Sequence, residues 1–503
     1  MKLRMGHLFT FLPSAKWSWA RLKGLGGLRT IYIAVLFCIA TAIASPAQSF
    51  TSLVSFDVTD GYFPISTLTQ GTDGNFYGAT PEGGQYGGGE FGQGVVYRMT
   101  AEGALTVLYS FCDDYPTCTD GAYPSPGLVL ASNGNFYGTT SYGSGTVFEI
   151  TPAGKLTTLH TFCLRVACTD GAIPGGLMQA SDGNFYGTTA YGCGYNCGYG
   201  TVFEITPGGK LTTLYTFCSL ANCADGSNPY GSALVQAANG NFYGTTPSGG
   251  AHSSGTVFEI TPAGKLTTLY SFCSQRHRSV CTDGAPPNGL IQASNGNFYG
   301  TTILGGSKGG GTVFEINAAG KFSTLHNFDF NDGSNPEAAL IQGTDGNLYG
   351  TTQAGTTQVG SDGWGTVFEI TTGGELTTLY SFDFNNGANP EAALMQATNG
   401  AFYGTTTSGG TSGDGTVFSM SVGLGPFVTT VPNSGKSGTK VAILGNNLTD
   451  ATTVTFNGTA AIFKVASGNE ITATVPSGAT SGIVAVSTSS GTLKSNVEFR
   501  VQP

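Results

Sequence analysis

The chain has 503 residues, of which only 10% are charged, and its 20 basic and 30 acidic side chains give a formal net charge of −10. This balance disfavours nucleic acids and anionic membranes as partners, because both repel an acidic protein. The length suits two domains, and the 79 glycines suit short strands joined by tight turns.

The first 47 residues indicate a signal peptide. Residues 1–30 contain six basic residues and no acidic one, and the apolar stretch 31–40 follows them. Small residues then offer cleavage after Ala44 or Ala47, so we expect a mature chain that is secreted, periplasmic or held at the cell surface. A retained membrane anchor is the alternative, although the apolar run is marginal for spanning a bilayer. Cleavage leaves a net charge of −16 and no expected membrane contact.

Seven copies of a signature close to Gly-Asn-Phe-Tyr-Gly-Thr-Thr dominate the chain. They are centred on Gly74, Gly134, Gly183, Gly240, Gly296, Gly346 and Gly400. Their mean period of about 54 residues matches four-stranded propeller blades. In the copy that spans 288–328, an Asn-Gly pair separates two apolar runs and a second turn separates two more. Because Asn-Gly supplies the positive φ angles of a tight hairpin turn, each copy is predicted to form four antiparallel strands.

The two ends of the repeat region complement each other. Residues 50–56 carry the fourth-strand pattern ahead of the first copy, and the seventh copy lacks that strand. A closed ring joins the two ends and removes the exposed sheet edges, whereas an open solenoid leaves them unpaired. The sequence therefore predicts an all-β fold with a seven-bladed β-propeller of four-stranded blades over residues 48–422, closed by the N-terminal strand. An open solenoid is the alternative.

The repeat units resemble the GloVer tandem repeats of secreted bacterial proteins. The resemblance spans about residues 50–420 and rests on Asp/Asn-Gly-Asn-Phe-Tyr-Gly-Thr-Thr, Gly-Thr-Val-Phe-Glu-Ile and Leu-Thr-Thr-Leu-Tyr-Ser-Phe, which recur nearly verbatim. It brings no known enzymatic activity with it.

Residues 426–503 abandon the repeat. Short alternating runs such as 441–446 and 471–476, separated by Gly and Asn turns, predict a small immunoglobulin-like β-sandwich. The segment is similar to IPT/TIG domains, which contact DNA in some transcription factors and act as spacers or adhesion modules in secreted proteins. Its five basic and three acidic residues are too balanced for a phosphate-binding surface, so no nucleic acid partner is expected.

Ten of the cysteines fall into five close pairs. These pairs are Cys112/Cys118, Cys163/Cys168, Cys193/Cys197, Cys218/Cys223 and Cys273/Cys281. Each pair lies within one loop between predicted strands, and export leads to an oxidising compartment, so local disulfides are predicted. Zinc is the alternative, because Cys193 and Cys197 have ligand-like spacing, but no second pair or histidine cluster must join them.

The connections within each copy are of two kinds. The first-to-second and third-to-fourth connections are short and nearly invariant, whereas the other two are long and differ between copies. Because strands alternate in direction, we expect the long connections on one face of the ring, the variable face, and the short ones on the other, the turn face. Loops on a rigid scaffold commonly carry function. The candidate binding residues are loop aromatics of the variable face: Tyr86, Tyr142, Tyr191, Tyr195, Tyr199 and Trp364.

Catalytic patterns are sparse. His160 and His326 occupy the tyrosine position of the fourth strand and are expected to be structural. An Asp-Gly-x-x-Pro element in six copies is expected to form a turn, and the segments 329–333 and 383–387 leave calcium binding open. No cofactor, metal site or catalytic residue is predicted. Loop carboxylates leave room for a glycoside-cleaving pair, and they are Glu82, Glu90, Asp113, Asp114 and Asp362.

The leading prediction is a secreted, monomeric, non-enzymatic recognition or scaffold protein. Its variable face would bind a glycan or an extracellular protein, because aromatic rings bordered by small polar residues stack on sugars or anchor partners. For each single aromatic residue, the alternative is that the ring merely covers a glycine-rich loop. The alternative functions are an extracellular glycan-degrading enzyme that uses loop carboxylates and a structural protein of the cell envelope.

Overall fold

The computed structural model describes residues 48–86, 92–124, 127–163, 169–192, 198–231, 233–355 and 363–502. The predicted signal peptide lies outside this part of the chain. The described residues form 40 β-strands and two 3-10 helices, Ala221–Cys223 and Leu448–Asp450. Neither helix has the length or hydropathy needed to cross a membrane.

The repeat region forms four-stranded antiparallel sheets in chain order. Strand β1 is Ser49–Ser55, and sheets 1 to 3 follow it. Sheet 1 consists of β2 (Thr69–Gln70), β3 (Phe76–Thr80), β4 (Val95–Met99) and β5 (Leu105–Ser110). Sheet 2 consists of β6 (Val129–Leu130), β7 (Phe136–Thr140), β8 (Thr146–Ile150) and β9 (Leu156–Thr161). Sheet 3 consists of β10 (Ala172–Gln179), β11 (Phe185–Tyr191), β12 (Thr201–Ile205) and β13 (Leu211–Thr216).

The remaining repeats give sheets 4 to 7. Sheet 4 consists of β14 (Val235–Gln236), β15 (Phe242–Thr246), β16 (Thr256–Ile260) and β17 (Leu266–Ser271), and a small hairpin of β18 (Arg276–His277) and β19 (Val280–Cys281) follows. Sheet 5 consists of β20 (Ala285–Gln292), β21 (Phe298–Leu304), β22 (Thr312–Ile316) and β23 (Phe322–Asn327). Sheet 6 consists of β24 (Ile341–Gln342), β25 (Leu348–Thr352), β26 (Thr366–Ile370) and β27 (Leu376–Ser381). Sheet 7 consists of β28 (Met395–Gln396), β29 (Phe402–Thr406), β30 (Thr416–Ser421) and β1.

The signature explains how the second strand of each sheet packs. Its phenylalanine and tyrosine are buried in the strand interior, as in β7. Its central glycine allows close approach of an aromatic ring, because a Cβ on Gly138 would lie 2.5 Å from Cζ of Phe148. The glycine of the hairpin turn is needed for its backbone conformation, because Gly296 has a φ of +83°, as the predicted tight turn requires.

Aromatic stacking joins neighbouring sheets. The signature tyrosine of one sheet stacks on the signature phenylalanine of the next, with ring centroids about 4.1–4.2 Å apart. The same contact joins Tyr403 of sheet 7 to Phe76 of sheet 1, at 4.2 Å. At one boundary Leu348 replaces the phenylalanine and packs beside Tyr299 in a shared buried cluster. The first and last sheets therefore meet through the contacts that join consecutive sheets.

Glutamine side chains of the first strands add a second link between sheets. The Oε1 atom of Gln179 accepts a hydrogen bond from the Ser132 N–H group of the preceding sheet at 3.0 Å. Gln70 of sheet 1 makes the equivalent bond with Thr398 of sheet 7, also at 3.0 Å. The other examples are Ser181 to Gln236, Ser294 to Gln342 and Thr344 to Gln396. The sequence reasoning missed this role of the glutamine.

Strand β1 completes the last sheet. It pairs antiparallel with β30 from Ser49 opposite Ser421 to Ser55 opposite Thr416, with one bulge near Val54. The edge that the seventh copy leaves open is therefore covered by the N-terminal strand, as predicted. The all-β prediction is confirmed, and the repeat region has a propeller-like fold.

The C-terminal region forms two further four-stranded sheets. One contains β31 (Thr429–Val431), β33 (Lys440–Leu444), β37 (Glu470–Thr474) and β36 (Ile462–Val465). The other contains β35 (Thr459–Ala460), β34 (Thr453–Phe456), β38 (Val484–Thr488) and β39 (Gly491–Lys494). Strands β32 (Ser434–Gly435) and β40 (Arg500–Val501) pair in parallel. Side chains of both sheets share one buried core that includes Ile443, Val454 and Phe499. We call this region the C-terminal sandwich.

The C-terminal sandwich packs on the turn face of the repeat region. The Arg500 guanidinium donates to the carbonyl oxygens of Gln236 and Ala237, at 3.3 and 2.9 Å. Side-chain amides make the other polar contacts: Asn469 to the Asp73 carbonyl, Asn446 to the Thr398 hydroxyl and Gln502 to the Ser181 carbonyl. These partners belong to the first-strand turns of sheets 1, 3, 4 and 7, so the contact spans the middle of this face.

Three of the predicted disulfides are present among the described residues. They join Cys112 to Cys118, Cys218 to Cys223 and Cys273 to Cys281. Of the other two predicted pairs, Cys168, Cys193 and Cys197 lie outside the described residues. Each observed bond closes one long connection on the variable face, as the spacing predicted.

Candidate functional site

An open cleft lies on the variable face, where long connections next to sheets 2 and 4 meet the ends of strands β10 and β11 of sheet 3. Its aromatic lining consists of Tyr123, Tyr142, Tyr191 and Tyr230, and we call it the tyrosine cleft. Its volume is about 580 Å³. The rings of Tyr123 and Tyr142 lie 6.0 Å apart between centroids. Ser141, Ile173 and Ala190 supply small polar and apolar surface between the rings.

The residue before the proline of the Asp-Gly-x-x-Pro element, the pre-proline residue, has an unusual backbone conformation in most copies. It is left-handed in six copies, with φ between 55° and 59° for Phe63, Tyr123, Ile173, Asn228, Asn335 and Asn389. Its N–H group donates to a carbonyl of the preceding sheet's long connection, as Ile173 does to Ser144 at 2.8 Å. Asparagine tolerates this conformation, whereas a bulky or β-branched residue is strained in it. Two of the strained residues, Tyr123 and Ile173, line the tyrosine cleft.

A cavity of about 430 Å³ lies where the first strands of all seven sheets meet. We call it the central cavity. Most of its wall is small or apolar, including Ile65, Ala338 and Ala392. Its polar side chains are Thr67, Tyr230, Asn288, Glu337 and Glu391. Because Tyr230 also lines the tyrosine cleft, the cavity and the cleft share a wall. The volume is in the range of small-molecule sites.

Two carboxyl groups face this cavity from adjacent sheets. Burial raises the pKa of Glu337, and the charge of Glu391 raises it further. Burial also raises the pKa of Glu391, although hydrogen bonds from Gln353 and Thr407 act to lower it. The Gln353 amide donates to Oε1 of Glu391 at 2.8 Å. Within the described ranges, no lysine, arginine or histidine nitrogen lies within 4.0 Å of either carboxyl group.

The structure separates the predicted binding aromatics. It brings Tyr142 and Tyr191 together in the tyrosine cleft. Tyr86, Tyr199 and Trp364 are exposed but lie outside the cleft lining, and Trp364 packs against Phe384 with ring centroids 5.0 Å apart. Tyr195 lies outside the described residues.

The predicted loop carboxylates do not assemble into a cavity-lining pair. Glu82 is half-buried and does not line the central cavity, and Asp113 and Asp114 are exposed. Asp113, Asp114 and Asp120 place carboxylate oxygens within 4.8 Å of one another, and they are the one such group of three or more in the described part of the chain. Acidic loop groups are common without an ion, so we assign no metal here. Glu90 and Asp362 lie outside the described residues.

The aspartate of each Asp-Gly-x-x-Pro element has a structural partner. Asp120, Asp225 and Asp283 accept hydrogen bonds from fourth-strand tyrosines at 2.7–2.8 Å. His160 and His326 take the tyrosine's place opposite Asp170 and Asp332, at 3.0 and 2.7 Å. The two histidines are therefore structural, as predicted. In the segments where calcium binding was left open, Asp329 accepts a hydrogen bond from the Asn331 N–H group of its own loop.

Sequence reasoning missed Tyr123, Tyr230, Asn288, Glu337 and Glu391. For four of these five residues, all except Tyr123, the sequence did contain a signal. The residue directly after the proline of Asp-Gly-x-x-Pro is Tyr230, Asn288, Glu337 or Glu391 in the last four copies and differs from the earlier copies. Residues that vary on a recurring turn are candidates for function, because functional residues concentrate on loops held by a rigid scaffold.

Comparison with known families agrees with this repeat architecture. The family described as the Gloeobacter/Verrucomicrobia repeat matches residues 35–198, 86–281 and 276–473. The chain belongs to this repeat family. The last match of the Gloeobacter/Verrucomicrobia repeat runs past residue 422, which the sequence predicted as the end of the repeats, into the C-terminal sandwich. No curated protein matches the sequence.

Solved structures similar to this repeat protein include enzymes and a surface protein. The match to a fungal alcohol oxidase of the AA5 family, solved in complex with copper, spans 90% of this chain and 99% of the oxidase chain. Its sequence identity is 12% and its TM-score is 0.51. The match to virginiamycin B lyase from Staphylococcus aureus spans 75% of this chain and 99% of the lyase chain, at 14% identity and a TM-score of 0.48. The match to PorZ from Porphyromonas gingivalis spans 90% of this chain and 61% of the PorZ chain, at 16% identity and a TM-score of 0.46. At these identities the first match shows a shared fold and nothing more.

Proposed function

We propose that the protein is a secreted recognition protein that binds a glycan in the tyrosine cleft. The observation that carries this proposal is the convergence of Tyr123, Tyr142, Tyr191 and Tyr230 on one open surface. Tyrosine presents an apolar ring and a polar hydroxyl, which suits the apolar faces and hydroxyl rims of sugar rings. Small neighbours such as Ser141 and Ala190 leave room for a flat ligand.

The finer architecture belongs to the same proposal. We infer that sheets 1 to 7 are the blades of one closed seven-bladed propeller, and that the C-terminal sandwich is an immunoglobulin-like domain of IPT/TIG type. The Tyr403 to Phe76 stack and the Gln70 to Thr398 hydrogen bond support closure. The sandwich occupies the turn face, so the variable face is the one available to a large ligand. We also propose that the protein is exported, that its signal peptide is cleaved and that the mature chain is a monomer.

The test is binding of the mature chain, residues 48–503, to a panel of soluble polysaccharides, with reducing ends assayed in the same wells. Tyr142→Ala and Tyr191→Ala should each weaken binding about tenfold, because each removes one stacking ring. Tyr86→Ala and Tyr199→Ala are matched controls, since both rings are exposed outside the cleft. The proposal would be contradicted if all four variants lost affinity equally, or if neither Tyr142→Ala nor Tyr191→Ala weakened binding.

Glu337 and Glu391 favour a second candidate function, an extracellular glycan-degrading enzyme. A glycoside-cleaving site needs two carboxyl groups, one of which stays protonated near neutral pH, and burial raises the pKa of both groups. Release of reducing ends that is abolished in both Glu337→Gln and Glu391→Gln would establish this function. Retention of polysaccharide without release would leave recognition as the function. Neither binding nor release would favour a structural protein of the cell envelope.

A further inference from the structure

The wall of the central cavity is built from one position of the repeat. The residue directly after the proline of Asp-Gly-x-x-Pro lines the cavity as Ile65, Tyr230, Asn288, Glu337 and Glu391. We call this the post-proline position. The turn around it is held by recurring contacts. In the second copy, Asp120 accepts a hydrogen bond from Tyr109 of the fourth strand. The following glycine, Gly121, is closely packed, because a Cβ there would lie 2.3 Å from the Thr140 hydroxyl. The post-proline side chain differs between copies and is the one from this element that lines the cavity in five of them.

The chain uses this freedom unevenly around the cavity. Ile65 in sheet 1 is apolar, and the equivalent Gly175 in sheet 3 has no side chain. Sheets 4 to 7 contribute Tyr230, Asn288, Glu337 and Glu391, so one side of the cavity is polar and acidic. The acidic side chains come from the adjacent sheets 6 and 7 and line the same cavity. A ligand that fits this cavity therefore has one charged side and one apolar side.

We propose that the central cavity binds a primary ammonium group, carried by an amino sugar at the end of the glycan that the tyrosine cleft holds. This proposal rests on the proposed glycan function, since it names the chemical class of the ligand. Glu337 and Glu391 are the specificity-determining residues and accept hydrogen bonds from the ammonium group. Tyr230 connects the two parts of the site.

The charge balance of the cavity favours an ammonium group over other cations and over neutral hydroxyl groups. Two partly buried carboxylates with no basic neighbour in the described chain are costly when both are ionised, and a cation removes that cost. An ammonium group offers three donors, and the two carboxylates supply four acceptor oxygens, one of which also accepts a hydrogen bond from Gln353. A calcium ion needs six or more oxygen ligands, whereas Ala338 and Ala392 fill the wall beside the carboxylates.

The experiment compares three probes by titration calorimetry on the mature chain. The probes are a β-1,4-linked glucosamine hexamer, the N-acetylglucosamine hexamer and 1,5-diaminopentane. The first two differ by the N-acetyl group, which removes the positive charge of the nitrogen and adds a small neutral substituent, and the diamine carries the charge without a sugar. The wild-type protein should bind the glucosamine hexamer about tenfold or more tightly than the acetylated one, as expected for a partly desolvated charge pair. The double variant Glu337→Gln/Glu391→Gln should lose this preference.

Glu82→Gln is the matched control, because Glu82 is a half-buried carboxyl group outside the cavity lining. It should keep the wild-type preference, and each variant's melting temperature checks folding. Equal binding of the two hexamers by the wild type, or a preference that survives in the double variant, overturns the ammonium site.

The three probes also separate this proposal from the glycan function. If both hexamers bind equally and depend on Tyr142 and Tyr191, the glycan function stands and the ammonium site fails. If only the diamine binds, and the double variant abolishes its binding, the cavity does bind an ammonium group, but the amino-sugar ligand is overturned together with the glycan function. If no probe binds, the ammonium site is overturned, and the polysaccharide panel alone decides the glycan function.

Discussion

At the scale of single residues, the repeat shows which positions the fold fixes and which it leaves free. The Asp of Asp-Gly-x-x-Pro recurs in six copies, where its carboxylate pairs with the fourth strand, as with Tyr109 and His160. In the seventh copy Asn386 takes its place and bonds to Tyr380. The post-proline residue is not fixed, because it faces the central cavity rather than a neighbouring strand. The variable wall of the cavity thus begins one residue beyond a recurring structural element.

The glutamates of the cavity should leave a pH signature in stability. Burial raises the pKa of Glu337 and Glu391 in the folded protein, so the folded state holds these protons more tightly than the unfolded state. Stability therefore falls as the pH rises through the ordinary glutamate value and the raised values above it. The Glu337→Gln/Glu391→Gln double variant should melt at a higher temperature than the wild type at pH 7.5 and at the same temperature at pH 4.

Calorimetric melting of both proteins at the two pH values is the measurement. Glu82→Gln provides a comparison outside the cavity, because burial raises the pKa of Glu82 without a neighbouring carboxylate. A double variant that is less stable than the wild type at pH 7.5 would mean that the carboxylates make favourable contacts that outweigh their burial.

At the scale of structural elements, the connection into each first strand is the informative one. Its pre-proline residue is left-handed in sheets 1 to 4, 6 and 7. In sheets 4 and 7 it is an asparagine whose side-chain amide donates to a carbonyl of the preceding sheet, Ala190 or Gln353. In sheets 2 and 3 the strained Tyr123 and Ile173 take its place and face the tyrosine cleft instead. Such an outlier commonly marks a functional surface.

Replacing the strained residue should stabilise the fold. Ile173→Asn should raise the free energy of unfolding by about 1 kcal/mol, because asparagine adopts the left-handed conformation at lower cost than a β-branched residue. Urea denaturation measures the change. The reciprocal variant Asn335→Ile, in the same position of sheet 6, should lose a similar amount. If Ile173→Asn destabilises the protein, side-chain packing at the cleft outweighs the backbone strain.

At the scale of the whole molecule, the C-terminal sandwich makes the two faces unequal. Its contacts lie on the turn face, and the tyrosine cleft and disulfides lie on the variable face. Phe427, in the segment that joins the two regions, is 4% exposed, and its N–H group donates to the Thr398 carbonyl. The docked sandwich therefore shields this connecting segment.

Loss of the central docking contact should uncover the connecting segment. Arg500→Ala removes a charged donor to the carbonyls of Gln236 and Ala237, a kind of bond that contributes about 1.5–3 kcal/mol. Limited chymotrypsin digestion should then cleave between Ser421 and Thr429 several-fold faster than in the wild type. Lys494→Ala, at an exposed position of the sandwich, should cleave at the wild-type rate. Equal rates for Arg500→Ala would show that the sandwich is held by other contacts.

The sequence predicted the elements of this molecule better than its site. The strands were predictable because seven copies repeat the same pattern, and the predicted run 322–328 agrees with the strand Phe322–Asn327. The disulfides were predictable because each bond is local. Glu337 and Glu391 were not, because 54 residues separate them and only the arrangement of sheets 6 and 7 brings both to one cavity. The aromatic prediction included Tyr142 and Tyr191 of the tyrosine cleft but not Tyr123, which lies in a turn element that the sequence assigned to structure alone.

The strand that completes sheet 7 also sets the order of events in folding. Ser55 accepts a hydrogen bond from Thr411 across 356 residues, whereas most other strand pairs are joined by a short connection. Closing so long a loop costs about 3 kcal/mol more than closing a ten-residue hairpin. Strand β1 therefore emerges first during synthesis and finds its partner last. Until then it is a free strand beside an open edge, and at high protein concentration during refolding it can pair with sheet 7 of another copy, which gives a strand-exchanged dimer.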